Sequence, residues 1–323
     1  DEGAGDRRRE AWLMFVRVGL PMIFVFLWSS AFVTGKVAVI YATPFALLLV
    51  RFFIVTLLFG GMMLVARFWL ARQRRTKATP PTQTAPADGW RTLLVTAIVG
   101  VMLHGGYLGS VFLALSMGIP AGLTALVVSM QPLLSSFLAI FLFAETLRHV
   151  QWTGIILGFA GVTVVLLPTI GGGAASELSL AGLGVTFCGL AAITCGTLMQ
   201  KKFGNNIGLM KGNFLQSAAA TLFYLAVTPL LEEPQIDLQT PFILAMSWQI
   251  LAVSLGAYVI FMMLIKRDSM AATSSLLFLV PPTTAIMATL WFGEVLTPLS
   301  MVGFALASAG VYLVTYYSSP ATP

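Results

Sequence analysis

The chain carries one message twice. Residues 121–167 read AGLTALVVSMQPLLSSFLAIFLFAETLRHVQWTGIILGFAGVTVVLL, and a second copy follows 149 positions later, from Met270 to Tyr316, without a gap. At that shift Pro132 falls on Pro281, Ala139 on Ala288, Phe143 on Phe292 and Glu145 on Glu294. Leu147, Gly154, Leu157, Ala160, Gly161, Val162 and Val165 also meet identical residues. Each copy is an apolar run with a proline in its middle and a glutamate at its end, followed by a second apolar run spaced by small residues. A duplication of this kind sets the architecture before any local reading does.

The runs are too apolar for a water-soluble domain. Of the 323 residues 58% are hydrophobic and 9% charged, against about 25% charged in soluble proteins. A membrane-spanning helix needs about 20 apolar residues. That measure predicts ten spans, over 19–38, 44–67, 91–117, 121–144, 150–168, 179–200, 209–230, 245–266, 270–293 and 298–316. Five spans in each half put the second half into the bilayer upside down relative to the first. The expected fold is therefore an all-α membrane protein of ten transmembrane helices in two inverted five-helix repeats. The fronts of the halves agree at a shift of 165, where Lys36 meets Lys201 and Arg51 meets Gln216. The expected domains are a tail over 1–18, a first repeat over 19–168 with a mobile loop at 68–90, a linker over 169–178, a second repeat over 179–316 and a tail over 317–323.

A net charge of +6 raises the question of nucleic acid, but the basic residues share no face. They sit in short loops, as on the cytoplasmic side of a membrane protein. With the N-terminus cytoplasmic, that side holds Arg7, Arg8, Arg9 and Arg17, then Arg67, Arg72, Arg74, Arg75, Lys77 and Arg91, together with Arg148, Lys201, Lys202, Lys211, Lys266 and Arg267. The other side holds Lys36, with Glu177, Glu232, Glu233, Asp237 and Glu294. Both termini are expected in the cytoplasm, and the chain in a bacterial inner membrane, with lipid and a small-molecule metabolite as partners and no nucleic acid. Cys188 and Cys195 lie seven apart in one run, about 10 Å on a helix and too far for a disulfide. They read as packing residues.

The segments LWSSAFVTGKVAV, ATPFALLLVRFF and MGIPAGLTALVVSMQPLLSSFLAIFLFAETL resemble the bacterial drug/metabolite transporter superfamily, in its branch built from two EamA domains. The resemblance runs from about Leu20 to Tyr316. It implies a ten-helix exporter of amino acids or similar metabolites, driven by gradients rather than ATP. Helices 1–4 and 6–9 would line a central cavity, with 5 and 10 to one side. The second half departs from the first, having no tryptophan opposite Trp28 and Gln216 in place of an arginine.

Polar residues inside a membrane are costly, so each is a candidate. Arg51 lies about 7 Å outside the centre of the second span. It reads either as a bidentate anchor for a carboxylate or phosphate or as a structural arginine on helix-end carbonyls. His104 stands mid-span in LHGGYLGS, with Tyr107 on the same face and Gly105, Gly106 and Gly109 allowing close approach. It could take up a proton or contact substrate, or stay neutral on a backbone carbonyl. Gln131 precedes Pro132, which frees a backbone carbonyl. Pro132, Pro281 and Pro282 are candidate hinges, or prolines that merely shape their helices. Asn213 with Gln216, and Tyr258 with Ser254, share helix faces as possible substrate contacts or as interhelical glue. Trp28 lies at mid-depth, as a cavity wall or as packing. Glu145 and Glu294 fall at opposite membrane faces and are expected to tie helix ends to loops. Gly154, Gly158, Gly161, Gly303, Ala307 and Gly310 form small-residue stripes for close helix contact, in a monomer or across a homodimer.

Nothing in the chain has the form of HExxH, GxxxxGK or a metal-spaced Cys and His cluster. No enzyme, cofactor or metal is expected. The reading is a secondary exporter working by alternating access around a midplane site. The alternatives are a non-transporting sensor or subunit of a lipid-modifying system, and an importer or exchanger on the same fold.

Overall fold

The computed structural model describes residues 19–76, 89–143, 146–170, 179–203, 207–257, 259–260, 263–264 and 276–317. Ten membrane helices follow in order: α1 Leu20–Tyr41, α2 Pro44–Thr76, α3 Trp90–Ser116, α4 Ala121–Phe143, α5 His149–Ile170, α6 Leu180–Phe203, α7 Leu209–Leu231, α8 Thr240–Ala257, α9 Leu276–Phe292 and α10 Pro298–Tyr317. Among the described residues nine are long and apolar enough to cross a bilayer, and the shorter α9 is apolar too. Large side chains such as Phe53, Leu64, Leu222 and Leu290 stand exposed along the bundle, as lipid-facing residues must.

Two boundaries differ from expectation. Residues 68–76, expected in a mobile loop, continue α2 to Thr76. Ala, Leu, Gln and Arg are good helix formers, so polarity ends the apolar run there without ending the helix. α8 starts five residues before the apolar run does, with Pro241 in its first turn, where proline's missing N–H costs nothing.

The halves are inverted. Ala42 bridges Ile236, which joins the α1–α2 turn to the α7–α8 loop. The Thr43 N–H donates to the Gln235 carbonyl and the Asp237 N–H to the Tyr41 carbonyl. The equivalent of the end of α1 is the end of α6, at the other end of the bundle, where Lys201 lies beside Phe143 of α4. Likewise Glu294, after α9, accepts from the N–H of Ala121 at the start of α4, 3.0 Å away. Equivalent helices therefore run in opposite directions.

Among the described residues, symmetry-related helices pack together at α2–α7 and at α5–α10. Thr56 on α2 and Thr221 on α7 occupy equivalent positions at the shift of 165, and their hydroxyl oxygens are 3.3 Å apart. On α5 and α10 the contact is reciprocal, as a two-fold axis requires. A Cβ at Gly154 would lie 2.8 Å from the Gly310 carbonyl oxygen, and one at Gly161 would lie 2.6 Å from that of Gly303. These pairs mark the pseudo-two-fold axis. The small-residue stripes thus mate within one chain. α5 and α10 pack on each other and reach the rest of the bundle through α4 and α9.

α4 breaks at Ser129–Met130, between Ala121–Val128 and Gln131–Phe143. α9 passes from a tight 3₁₀ turn at Leu276–Leu279 into an α-helix at Val280. Pro132, Pro281 and Pro282 each fall in the first turn of the following segment, so they open a new helical stretch rather than kink a continuous one.

Candidate functional site

The site grows from α2. Arg51 is 4% exposed, on a helix otherwise packed among apolar side chains. One terminal nitrogen donates to the Ser254 hydroxyl of α8 at 3.1 Å, and that hydroxyl donates to the Gln249 carbonyl at 3.0 Å. The guanidinium carbon stands 5.7 Å from the Phe52 ring centre and 5.9 Å from that of Phe112, within cation–π range. Nε is buried without a partner, and no carboxylate among the described residues pairs with the side chain. A buried charge is ordinarily paired. This one keeps a free donor.

α3 and α8, third in their respective halves, both widen into π-helix, at Val101–Tyr107 and Trp248–Ala257. Such windings cluster at functional sites because they leave carbonyls open to other partners. In α3 those carbonyls are taken by Tyr224 of α7, whose hydroxyl lies 2.7 Å from the His104 carbonyl and 2.9 Å from that of Gly105. Tyr224 is fully buried and stacks on Phe45 and Phe52, with both ring centres at 6.1 Å. The His104 ring lies 4.9 Å from Phe52 and beside the Gln216 side chain. Arg51 and Gln216 each lie five residues before the Thr56–Thr221 crossing. On helices running in opposite directions that separates them by roughly 15 Å along the bundle. His104 spans between them, so the cluster straddles the pseudo-two-fold axis.

The expected residues divide. Arg51, His104, Tyr107 and Gln216 come together, and all but His104 are buried. Tyr107 belongs to the same central cluster as Phe52, Phe112 and Tyr224. Trp28 packs between that cluster and a second one built on Phe24, Val25 and Leu264, with Phe24 5.5 Å from its ring. Gln131 lies elsewhere, donating to Ser135 at 2.8 Å and to Thr197 of α6 at 2.9 Å. Asn213 donates to the Leu209 carbonyl of its own helix at 2.9 Å. Tyr258 lies outside the described residues. The glycines of LHGGYLGS make room for neighbouring helices: a Cβ at Gly105 would lie 2.8 Å from the Phe223 ring of α7, one at Gly109 3.1 Å from the Tyr224 hydroxyl of α7, and one at Gly106 3.1 Å from Ala192 of α6. Cys188 and Cys195, expected to be packing residues, are free and exposed.

Tyr224 and Gln249 were not expected. Gln249 is fully buried, donates to the Ala31 carbonyl at 2.7 Å and to Thr34 at 2.9 Å, and leaves its own oxygen unpartnered. Both residues are lone polar groups in the middle of apolar runs, and the rule that singled out Arg51 applies equally to them. Two recesses lie away from the cluster. One of ≈ 690 Å³ at the bundle end is bordered by Tyr41, Thr43, Ser116 and Asp237. The other, of ≈ 640 Å³, is an apolar groove on α2 along Leu57, Gly61, Val65 and Trp69.

Comparison with known proteins adds the family. The EamA-like transporter family matches residues 17–167 and again residues 180–316, each stretch one half of the bundle. The chain belongs to the EamA-like transporter family. An EamA-like chain is a transporter and not an enzyme, which removes the non-transporting alternative. Relatives are distant, and the first two match over nearly their full length. A probable amino-acid metabolite efflux pump of Salmonella typhimurium is 26% identical over 303 residues, covering 91% of this chain and 93% of the relative. The inner membrane transporter YedA of Escherichia coli K12 is 26% identical over 299 residues, covering 92% and 90%. A probable terminal-alkyne amino-acid exporter of Streptantibioticus cattleyicolor is 27% identical over 201 residues, covering 61% and 64%. A crystal structure 21% identical to this EamA-like transporter superposes with a TM-score of 0.59, covering 93% of this chain and 96% of that one. It shares the fold.

Proposed function

We propose that this EamA-like transporter exports amino acids or similar small amphiphilic metabolites across a bacterial inner membrane, with both termini in the cytoplasm. The two inverted halves rock about the Thr56–Thr221 crossing, exposing the cluster of Arg51, His104, Tyr107, Gln216 and Tyr224 to each face in turn. A site near the midplane between inverted halves is the recurrent arrangement of secondary transporters. Loop charge supports the orientation, because basic residues crowd the N-terminal side. Relatives named for amino-acid efflux support the substrate class.

The observation that carries the reading is the unpartnered Nε of Arg51. A guanidinium with a donor to spare, walled by Phe52, Phe112 and Tyr107, suits a carboxylate whose remaining body is apolar. The experiment is competition in proteoliposomes against a panel of radiolabelled neutral amino acids. Each transported acid is tested against its carboxamide. The free acids compete and the amides lose at least about tenfold in affinity, the factor worth about 1.4 kcal/mol. Equal competition by acid and amide would remove Arg51 as the anchor.

A further inference from the structure

Gln249 lies in the middle of α8 and is fully buried. Its amide nitrogen donates to the Ala31 carbonyl and to the Thr34 hydroxyl of α1. A carbonyl can only accept, so the Ala31 bond fixes which end of the amide is nitrogen. The other end, Oε1, is then an acceptor without a partner. The polar side chains around it are satisfied. Trp248 donates through its indole nitrogen to Ser30 at 2.8 Å, Ser30 to the Leu27 carbonyl at 2.7 Å, and Thr34 to the Ser30 carbonyl at 2.8 Å. Fastening of α8 to α1 accounts for the nitrogen of Gln249 and leaves its oxygen unexplained.

Buried side-chain atoms in this condition are few among the described residues: Arg51 Nε, Gln249 Oε1 and the hydroxyls of Thr228 and Thr315. The two threonines stand where α7 and α10 end. Arg51 and Gln249 lie inside their helices and are joined. Arg51 donates to the Ser254 hydroxyl, which donates to the Gln249 carbonyl across the π-winding of α8. The guanidinium is thus two hydrogen bonds from the Gln249 backbone, and the winding that carries Ser254 to Arg51 carries Gln249 with it. One unpartnered atom is a pure donor and the other a pure acceptor. Leaving a buried group of either kind unpaired is costly to the fold.

We propose that Gln249 determines specificity: its Oε1 accepts a hydrogen bond from the ammonium group of an amino acid whose carboxylate Arg51 Nε holds. This rests on the carboxylate reading of Arg51 above and adds the second half of the ligand. A zwitterion brings its own counter-charge. Its carboxylate neutralises the guanidinium, and its ammonium then needs only a neutral acceptor, which the Gln249 amide supplies. A carboxylic acid of the same skeleton without the amine leaves Oε1 desolvated and unpaired, the situation in which a polar pocket discriminates most strongly. Gln249 therefore separates amino acids from simple carboxylic acids, a distinction that Arg51 alone does not make.

The test is displacement of radiolabelled phenylalanine and leucine from the purified full-length chain in detergent. The competitors are the unlabelled amino acids, their carboxamides, and their deaminated acids 3-phenylpropanoate and 4-methylpentanoate. In the parent the deaminated acids bind at least about tenfold more weakly than the amino acids, the loss that one hydrogen bond to a charged group implies. Gln249→Met abolishes that preference by weakening the amino acids by about the same factor, while the deaminated acids bind as before. Thr34→Val, which removes a bond on the nitrogen side and leaves Oε1 in place, keeps the preference. Deaminated acids that displace as well as amino acids in the parent overturn the proposal, whether or not the methionine variant folds. So does an equal loss of preference in Thr34→Val and Gln249→Met, which would assign Gln249 to fastening α8 on α1. The carboxamides read the other half. A preference over the carboxamides alone removes Gln249 and keeps Arg51, a preference over the deaminated acids alone keeps Gln249 and removes Arg51, and no displacement by either amino acid removes both.

Discussion

The Tyr224 hydroxyl on α7 lies 2.7 Å from the carbonyl oxygen of His104 on α3, and so occupies a backbone acceptor that the π-winding of α3 presents. Removing that hydroxyl leaves two carbonyls, at His104 and Gly105, without this donor in the middle of the bundle. Tyr224→Phe keeps the stacking on Phe45 and Phe52 and loses only the bond. The expected cost is about 1 kcal/mol, the range of interhelical hydrogen bonds in membranes. Unfolding by denaturing detergent measures it. Tyr224→Leu, which also gives up the ring contacts, costs more.

The ten helices were legible because a span needs little beyond length and hydropathy, and the duplication supplied a second reading of each run. Their inversion followed from counting. The site was legible where a single residue breaks the apolar pattern, as Arg51, His104 and Tyr107 do. It was illegible where the answer depends on a neighbour. The π-windings go with carbonyls that Tyr224 and Ser254 hydrogen-bond, and no local pattern around Val101 or Trp248 announces that. Asn213 and Gln216, three residues apart on one face, part company by depth: Gln216 faces α3 and His104, while Asn213 bonds its own helix near its start. Small-residue stripes tell that a close contact exists but not with what. Here Gly154 and Gly161 find Gly310 and Gly303 of the same chain.

That contact carries a prediction. A Cβ at Gly161 would lie 2.4 Å from the Ala307 backbone nitrogen and 2.6 Å from the Gly303 oxygen, and backbone cannot swing aside as a side chain can. Gly161→Ala must push α5 and α10 apart, at a cost of about 1 to 3 kcal/mol. Gly184, where a Cβ meets nothing within 4 Å, is the control. Gly184→Ala is neutral or raises stability by a few tenths of a kcal/mol up to about 1. Thermal unfolding of the two variants in one detergent separates them.

Glu232, after α7, accepts from the Ala46 N–H in the first turn of α2, 2.7 Å away. It satisfies one of the free donors that every helix start leaves, in the other half of the chain. Glu232→Ala is expected to cost about 1 kcal/mol and to speed amide exchange over the first turn of α2. Its neighbour Glu233 is exposed, and Glu233→Ala leaves both quantities within about 0.5 kcal/mol of the parent.

Arg51→Met separates a binding arginine from a structural one. If Arg51 were there to hold helices together, its loss would weaken the bundle by several kcal/mol, as breaking a buried charged network does. Its contacts describe a different residue: one hydrogen bond to Ser254, two aromatic faces and an unpartnered Nε. A charge desolvated to that degree for so little bonding is a net cost to the fold, and an apolar side chain of similar length removes the cost while keeping the packing on Phe52 and Phe112. Arg51→Met is therefore expected to unfold no more readily than the parent, within about 1 kcal/mol, while counterflow of carboxylate substrates falls at least about a hundredfold, as removal of a bidentate anchor worth about 3 kcal/mol implies. Arg51→Lys keeps the charge but not the fork, and lands between the two in transport. Should the methionine variant lose stability in step with activity, the arginine is a strut, and the carboxylate must be held elsewhere in the cluster.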